Sequence, residues 1–277
     1  MSFPDSFLTH HRHHRIESDA ASVLTDLCTH TPLYFHARNW MAEMATITKL
    51  SESIRDEEAD TLFFPEQGLH ISLPAIQHLH TVAIEHRSRA SLALEIATRG
   101  EPRAISIAAI PHLSDLSAFS GSLAHQPTQP LTVETYDRWR ESHIVRPSIC
   151  PCCAKAAEDR RKNPENNPLS RVFCQAIEQG MTLHCQLSSI AFRFTREIAP
   201  GHLIFQNGHI TLTSQDGCSM LEIDPGFCHS LTLHRRCIDA EPMTSLRIYS
   251  SLGVPELTID THGWNAYKDW LGICRMS

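Results

Sequence analysis

Between Gly208 and Asp260 apolar and polar residues alternate at every second position, through GHITL, CSMLEID and TSLRIYSSLGVPELTID, with a glycine-containing turn after Tyr249. A period of two predicts consecutive antiparallel strands that each bury one face. A degenerate copy lies earlier: GLHISL at 68–73 matches GHITL, TVAIE at 81–85 matches SMLEI, and ASLALEIATRGEPRAISI at 90–107 matches the closing hairpin. Ahead of each series the period becomes helical. Ile16, Ala20, Ala21, Leu24 and Leu27 mark one such segment; Val172, Phe173, Ala176 and Ile177, stopped by Gly180, mark the other. One helix followed by an antiparallel meander, made twice, is therefore the expected fold, of the α+β class. The repeats cover 16–111 and 169–277, and 112–168 is a linker with short helices.

The remaining segments fill in this outline. LYFHARNWMAEMATIT at 33–48 predicts one or two strands, and the acidic SESIRDEEAD at 51–60 a solvated turn or short helix. LTVETYDRWRESHIV and WNAYKDWL each predict a short helix, and THHRHHR near the start predicts a solvated tail. In this alignment His70 to Ser91 is 21 residues but His209 to Ser245 is 36, so the second copy is expected to carry about fifteen extra residues, mostly GFCHSLTLHRRCIDAE.

Composition narrows the function classes. A formal charge of −7 argues against broad nucleic-acid binding, which needs clustered Lys and Arg. No apolar run reaches the ~18 residues of a spanning helix, and the polar first twenty residues lack the apolar core of a secretion signal. A cytoplasmic protein is the expectation, with its ten cysteines reduced. GxSxG, Walker, GxGxxG and HExxH signatures do not occur. Histidine, with 19 copies, is over-represented, and imidazole serves both as a metal ligand and as an axial ligand of haem iron.

The ordered pieces SSIAFRFTREIAPG, GHIT, CSMLEID and TSLRIYSSLGVPELTID, preceded by YFHARNWMAEM, GLHI, QHLHTVAIE and ASLALEIATRGEPRAISI, resemble the cytosolic haem-utilisation proteins. That family includes the small HutX/ChuX-like carriers and the two-repeat HemS/HmuS-like factors for hemin transport or degradation. The resemblance covers roughly 33–107 and 182–260 and implies a duplicated split-sheet fold that holds haem against a sheet through histidine. It places His36 and His70 of the first copy, and His209 of the second, at haem-facing positions. His184 lies two residues from the counterpart of His36, where this chain has Gln186; on a strand that keeps the face but moves the side chain by about 6–7 Å. Haem propionates need cationic or hydroxyl groups, and Arg38, Arg193, Arg247 and Tyr249 are available for that task. The implied function is haem carriage, storage or delivery, or haem degradation, with haem as ligand; a homodimer is the candidate assembly.

A second reading comes from CPCC. Cys150, Cys152 and Cys153, with Cys174 and His143 as candidate fourth ligands, suit a soft metal such as zinc. Cys150 and Cys153 also have the CxxC spacing of a thiol redox pair. On that reading the chain is a duplicated β-scaffold without haem that acts as an interaction or metal-binding protein. His78 and His80 in QHLH share a strand face and are read as packed or exposed residues.

Overall fold

The computed structural model describes residues 10–27, 32–49, 52–86, 89–110, 116–124, 126–142, 150–238 and 240–275. Its chain groups into two compact units. The first comprises Met1–Ala37, Ile47–Arg146 and Ile190–Phe192; the second comprises Arg38–Thr46, Pro147–Ser189 and Arg193–Ser277. The units thus exchange short segments along the sequence.

In the first unit, six antiparallel strands run in the order β10 (Thr128–Leu131), β1 (His10–Ile16), β7 (Ile76–His86), β8 (Arg89–Thr98), β9 (Glu101–Ala109) and β2 (Pro32–Arg38). A meander of β6 (Leu69–Ser72), β5 (Thr61–Phe64) and β4 (Ile54–Asp56) adds a second piece. The alternation predicted from sequence is plain in β2, where Leu33, Phe35 and Ala37 are buried and the residues between them are half-buried. Helix α1 (Ala20–Asp26) is started by Asp19, whose carboxylate accepts the Ser22 N–H at 3.0 Å, and it buries Val23 and Leu24.

In the second unit, five strands run in the order β16 (Ser230–Ile238), β17 (Glu241–Tyr249), β18 (Pro255–His262), β11 (Leu183–Ser188) and β12 (Phe192–Ile198). A further piece orders β3 (Ala42–Lys49), β15 (Ser219–Ile223), β14 (His209–Ser214) and β13 (Pro200–Gln206), with Met44 opposite Leu221. One face of the five-stranded meander carries Leu187, Cys185, Leu246, Ile248, Leu257 and Ile259, all fully buried. Helix α6 (Asn265–Arg275) packs on this side against β16 and β17, and α5 (Pro168–Glu178) packs on α6 and β13. Asn167 caps α5 by accepting the Leu169 N–H, Pro168 opens it, and Gly180 at φ +60° ends it. Trp270 of α6 is fully buried, and Arg235, in register with Thr244 on the core face, lies over the Tyr267 ring at 4.3 Å.

The duplication and the α+β class are as expected, but the strand-by-strand match needs revision. By order along the chain and in the sheets, β6 corresponds to β15 and β7 to β16, so GLHISL is the counterpart of CSMLEI and not of GHITL. His70 on β6 and His209 on β14 are therefore not equivalent. The expected insertion also disappears: β6 to β8 runs from residue 69 to 89, and β15 to β17 from 219 to 241, which are 20 and 22 positions. The error arose because short amphipathic strands share one pattern, and a slip of one strand leaves the period intact. The match of the closing hairpins, β8–β9 with β17–β18, stands.

The expected solvated tail is likewise revised. From His10 onward it forms β1, which pairs with β7 through seven residues and with β10 through four. Backbone pairing to an open strand edge does not depend on side-chain polarity, which is why HHRHHR could hide a strand. The 51–60 segment holds the exposed strand β4 and a turn. The 112–168 linker contains helices α2 (Leu116–Ala124), α3 (Val133–Ser142) and α4 (Pro151–Lys162), of which α2 and α3 fall in the first unit. No helix among the described residues is long and apolar enough to cross a membrane.

Candidate functional site: the uncovered polar face of the second unit

Residues opposite one another in antiparallel strands project to the same face. In the second unit the row His184, Asp260, Ser245 and His234 runs across β11, β18, β17 and β16. The next row toward the turns is Gln186, Thr258, Arg247 and Thr232, followed by Tyr249 with Ser230. Arg193 stands opposite Ser188, and Glu197 opposite His184. Every one of these side chains is polar, and all share the face away from α5 and α6.

The two ends of this face differ in chemistry. At one end the rings of His184 and His262 meet edge to face at 5.0 Å, with their Nε2 atoms 3.2 Å apart. One Nε2 must donate and the other accept, so one imidazole carries a lone pair there. The Nδ1 of His184 lies 4.0 Å from the Glu197 carboxylate. Beside the pair, Arg236 donates to Asp260 at 2.6 Å. The second oxygen of Asp260 and the hydroxyl of the fully buried Ser245 have no hydrogen-bond partner among the described residues. At the other end stand Arg193, Arg247 and Tyr249. Thr232 and the Arg247 guanidinium hold the Tyr249 hydroxyl below the usual phenol range. The turn after Tyr249 adds the exposed apolar side chains Leu252 and Val254. His184 and Ser188 are four residues apart, so the ends are about 13 Å from each other at about 3.3 Å per residue.

The face is held flat by its backbone edges. Asn39 donates from one amide nitrogen to Ser188 O at 2.7 Å and Glu256 O at 2.9 Å, which ties the end of β11 to the start of β18. Its oxygen accepts the N–H groups of Met41 and Ala42, each at 3.0 Å, so the side chain is fixed before it reaches the strands.

The corresponding face of the first unit is occupied. There the row is His36, Ser106, Glu95 and His80 across β2, β9, β8 and β7. Helix α3 lies over much of it. The Tyr136 hydroxyl donates to Glu95, and its ring stacks on His13 at 4.2 Å; Trp139 packs against His80 at 4.4 Å. Glu95 and His80 are 4% and 1% exposed, so α3 seals that row from solvent. A cavity of about 520 Å³ exists in this unit, beside the turn from β1 to α1, but of the histidines discussed only His78 lines it.

The sequence-predicted residues sort accordingly. His184, Arg193, Arg247 and Tyr249 come together on the uncovered face. His36 is half-buried on the first unit's face and stacks with Tyr34 at 6.3 Å. His70 is on the three-stranded piece, packed on Phe63 at 4.1 Å. Arg38 lies 3.7 Å from Glu43. His209 faces Glu222 with Nδ1 at 3.1 Å and Asp224 with Nε2 at 3.8 Å, and these carboxylates push its pKa up to about 10. His209 thus belongs to an ion-pair cluster with Glu222, Asp224 and Arg161, and the carboxylates favour its protonated form, which has no free lone pair. Cys150, Cys152 and Cys153 converge, whereas Cys174 lies apart on α5 and His143 is outside the described residues.

Sequence reasoning missed His262, Arg236 and Asp260. Period two along β18 places 256, 258, 260 and 262 on one face, but only the register with β11 brings His262 to His184.

No protein-family model matches the chain, and no curated protein matches it in sequence. Solved structures do match in fold. The haem-degrading enzyme ChuS of Escherichia coli O157:H7 superposes with a TM-score of 0.70 at 10% identity, over 94% of this chain and 86% of that one. Holo-PhuS, a haem-binding protein from Pseudomonas aeruginosa, gives 0.69 at 12% identity over 95% and 86%. Apo-PhuS gives 0.67 at 11% over 96% and 86%. The chain therefore has the duplicated fold of these proteins, the HemS-like fold expected from the strand series.

Proposed function

We propose that this chain is a cytoplasmic haem-binding protein of haem utilisation, and that it binds haem on the uncovered face of its second unit. The observation that carries the reading is the His184–His262 pair, an imidazole lone pair presented on the one face of the duplicated sheets that α3 does not cover. The fold it shares with haem-binding and haem-degrading proteins supports the same reading. The nine described cysteines are free thiols, which suits a reducing compartment.

The residues present fit the group. Iron needs an imidazole nitrogen with its lone pair available, and an Nε2–Nε2 contact of 3.2 Å, in which one nitrogen accepts, supports His184 as its source. The two carboxylates of haem need cations or hydroxyls; Arg193 and Tyr249 stand about 13 Å away along the strands, and Arg247 about 7 Å away in the row between. The macrocycle needs apolar contact, which Leu252 and Val254 offer at the rim; the floor itself is threonine, serine and glutamine. When bound, haem supplies an iron centre for axial ligation and electron transfer.

Each side chain then has a task. His184 offers Nε2, and the Glu197 carboxylate on its Nδ1 side favours the tautomer that leaves Nε2 bare. In the ligand-free chain His262 pairs with that Nε2, and His184 would be the residue to hold haem iron there. The Arg236–Asp260 pair fixes the strand beside them, and Arg193 and Arg247 set the orientation by binding carboxylates. Hemin titrated into the reduced protein is expected to give a saturable Soret band with one equivalent. His184→Ala abolishes the band or shifts it to that of free hemin, His262→Ala weakens binding, and His36→Ala and His209→Ala leave it unchanged. An unaltered band in His184→Ala sinks this assignment, and no band in the wild type sinks haem binding altogether.

A further inference from the structure

Outside the polar face, the densest group of metal-ligating side chains is at the start of α4. Cys150, Cys152 and Cys153 offer three sulfurs that all lie within 4.8 Å of one another, and Cys150 and Cys152 are exposed. Cys150 is the N-cap, with its Sγ accepting the Cys153 N–H at 3.4 Å and lying 2.7 Å from the Cys152 Sγ. We propose that these three thiolates form a site for a thiophilic d10 cation, Cu(I) or Zn(II), with one coordination position left open.

Geometry, donor set and field agree on this. A metal–sulfur bond of about 2.3 Å puts sulfurs roughly 3.8–4.0 Å apart in tetrahedral or trigonal coordination, so the triangle closes around an ion after opening the Cys150–Cys152 edge by about 1 Å. Rotation about exposed Cα–Cβ bonds supplies that movement. All three donors are sulfur, and no described His, Asp or Glu joins the group, which selects soft ions over Mg(II), Ca(II) or Mn(II). The sulfurs sit at the positive end of a twelve-residue helix, and the Cys153 N–H donates to the Cys150 sulfur, so negative charge is favoured there. With Cys174 outside the group, three protein ligands leave a place for water or an incoming thiolate. Such an open site exchanges its ion more readily than a closed four-ligand one.

The test compares the reduced full-length chain with a Cys150→Ser/Cys152→Ser/Cys153→Ser variant, because His10, His11, His13 and His14 give both proteins a background of metal binding. Zn(II) and Cu(I) are titrated separately against a chromophoric chelator, and Co(II) is added as a spectroscopic probe. The wild type is expected to take up one equivalent more than the variant of at least one of the two ions. Its Co(II) form should show a sulfur-to-metal charge-transfer band that the variant lacks, and Cys152→Ser alone should weaken binding at least tenfold. Equal uptake by both proteins overturns the proposal. So does a wild type that forms a Cys150–Cys153 disulfide with oxidised glutathione at the same rate with and without metal, since bound thiolates would be protected. The variant serines lie on an exposed first turn, and its hemin titration is expected to match the wild type. A failure here is therefore separable from a failure of the haem reading.

Discussion

His36, Ser106, Glu95 and His80 stand side by side across the first unit's sheet, and His184, Asp260, Ser245 and His234 do the same across the second. Each row begins and ends in histidine and holds one serine and one acid between, yet their fates differ. In the first unit the chain after the meander turns back as α3 and puts Tyr136 and Trp139 onto the row. In the second it turns to the opposite side, where α6 packs on the apolar face; no described helix is seen over the polar row, in which His184 and His234 stay at least partly exposed while Asp260 and Ser245 are buried. Duplication supplied two similar rows, and the segment that follows each one decided whether a helix packs on it.

The largest effect should come from breaking the first unit's cover. Tyr136 is 3% exposed, and Tyr136→Ala removes both its ring and its hydrogen bond to Glu95, so we expect a loss of about 3–5 kcal/mol in denaturant unfolding. A loss below about 1 kcal/mol would mean that α3 is an incidental cover.

In the second unit, Asp224→Ala removes the carboxylate that accepts two Arg161 nitrogens at 2.8 Å and faces His209. About 2–3 kcal/mol is expected, since two cations lose a half-buried partner. Arg236→Ala should cost somewhat less, about 2 kcal/mol, because Asp260 is only 10% exposed but the arginine is one-third exposed.

The same cluster predicts how stability follows pH. Because Asp224 and Glu222 raise the His209 pKa from 6.5 to about 10, its contribution is complete below pH 6.5 and fades as pH climbs through about 10. Its partner Glu222, held below the ordinary 4.5 chiefly by His209, contributes above pH 4.5 and is lost on acidification. His209→Asn should flatten the alkaline limb of a stability profile measured from pH 6 to 10.5. An unchanged limb would show that the cluster does not hold the proton.

The smallest effect is the most diagnostic. His184→Ala in the ligand-free chain should alter stability by no more than about 0.5 kcal/mol, while abolishing the hemin band. A large loss of stability would instead mark His184 as a packing residue like His80.

Much of the fold was legible because its causes are local. The two-residue period of 208–260, the helical spacing of Val172, Phe173 and Ala176, and the stop at Gly180 all registered physical needs of single elements: one buried face, one apolar stripe, one left-handed residue. Strand β1 was not legible, because its pairing to β7 is a backbone matter that HHRHHR neither favours nor forbids. Nor was the true equivalence of β6 with β15, since amphipathic strands of similar length look alike whichever neighbour they join.

For the candidate site the division is similar. Sequence pattern alone determined that the chain is a duplicated helix-plus-meander fold, that His184, Arg193, Arg247 and Tyr249 occupy polar positions of their strands, and that three cysteines cluster in CPCC. Only the tertiary structure decided that His262 meets His184, that two carboxylates face His209 and favour its protonated form, and that α3 packs on one histidine row and not on the other. Periodicity is set within a strand by the alternating direction of its side chains. Which strand lies alongside, and what covers the face, is set by hydrogen-bond register and packing between residues 78 positions apart, as in His184 and His262, and up to 217 apart, as in Asn39 and Glu256, and no local pattern encodes that.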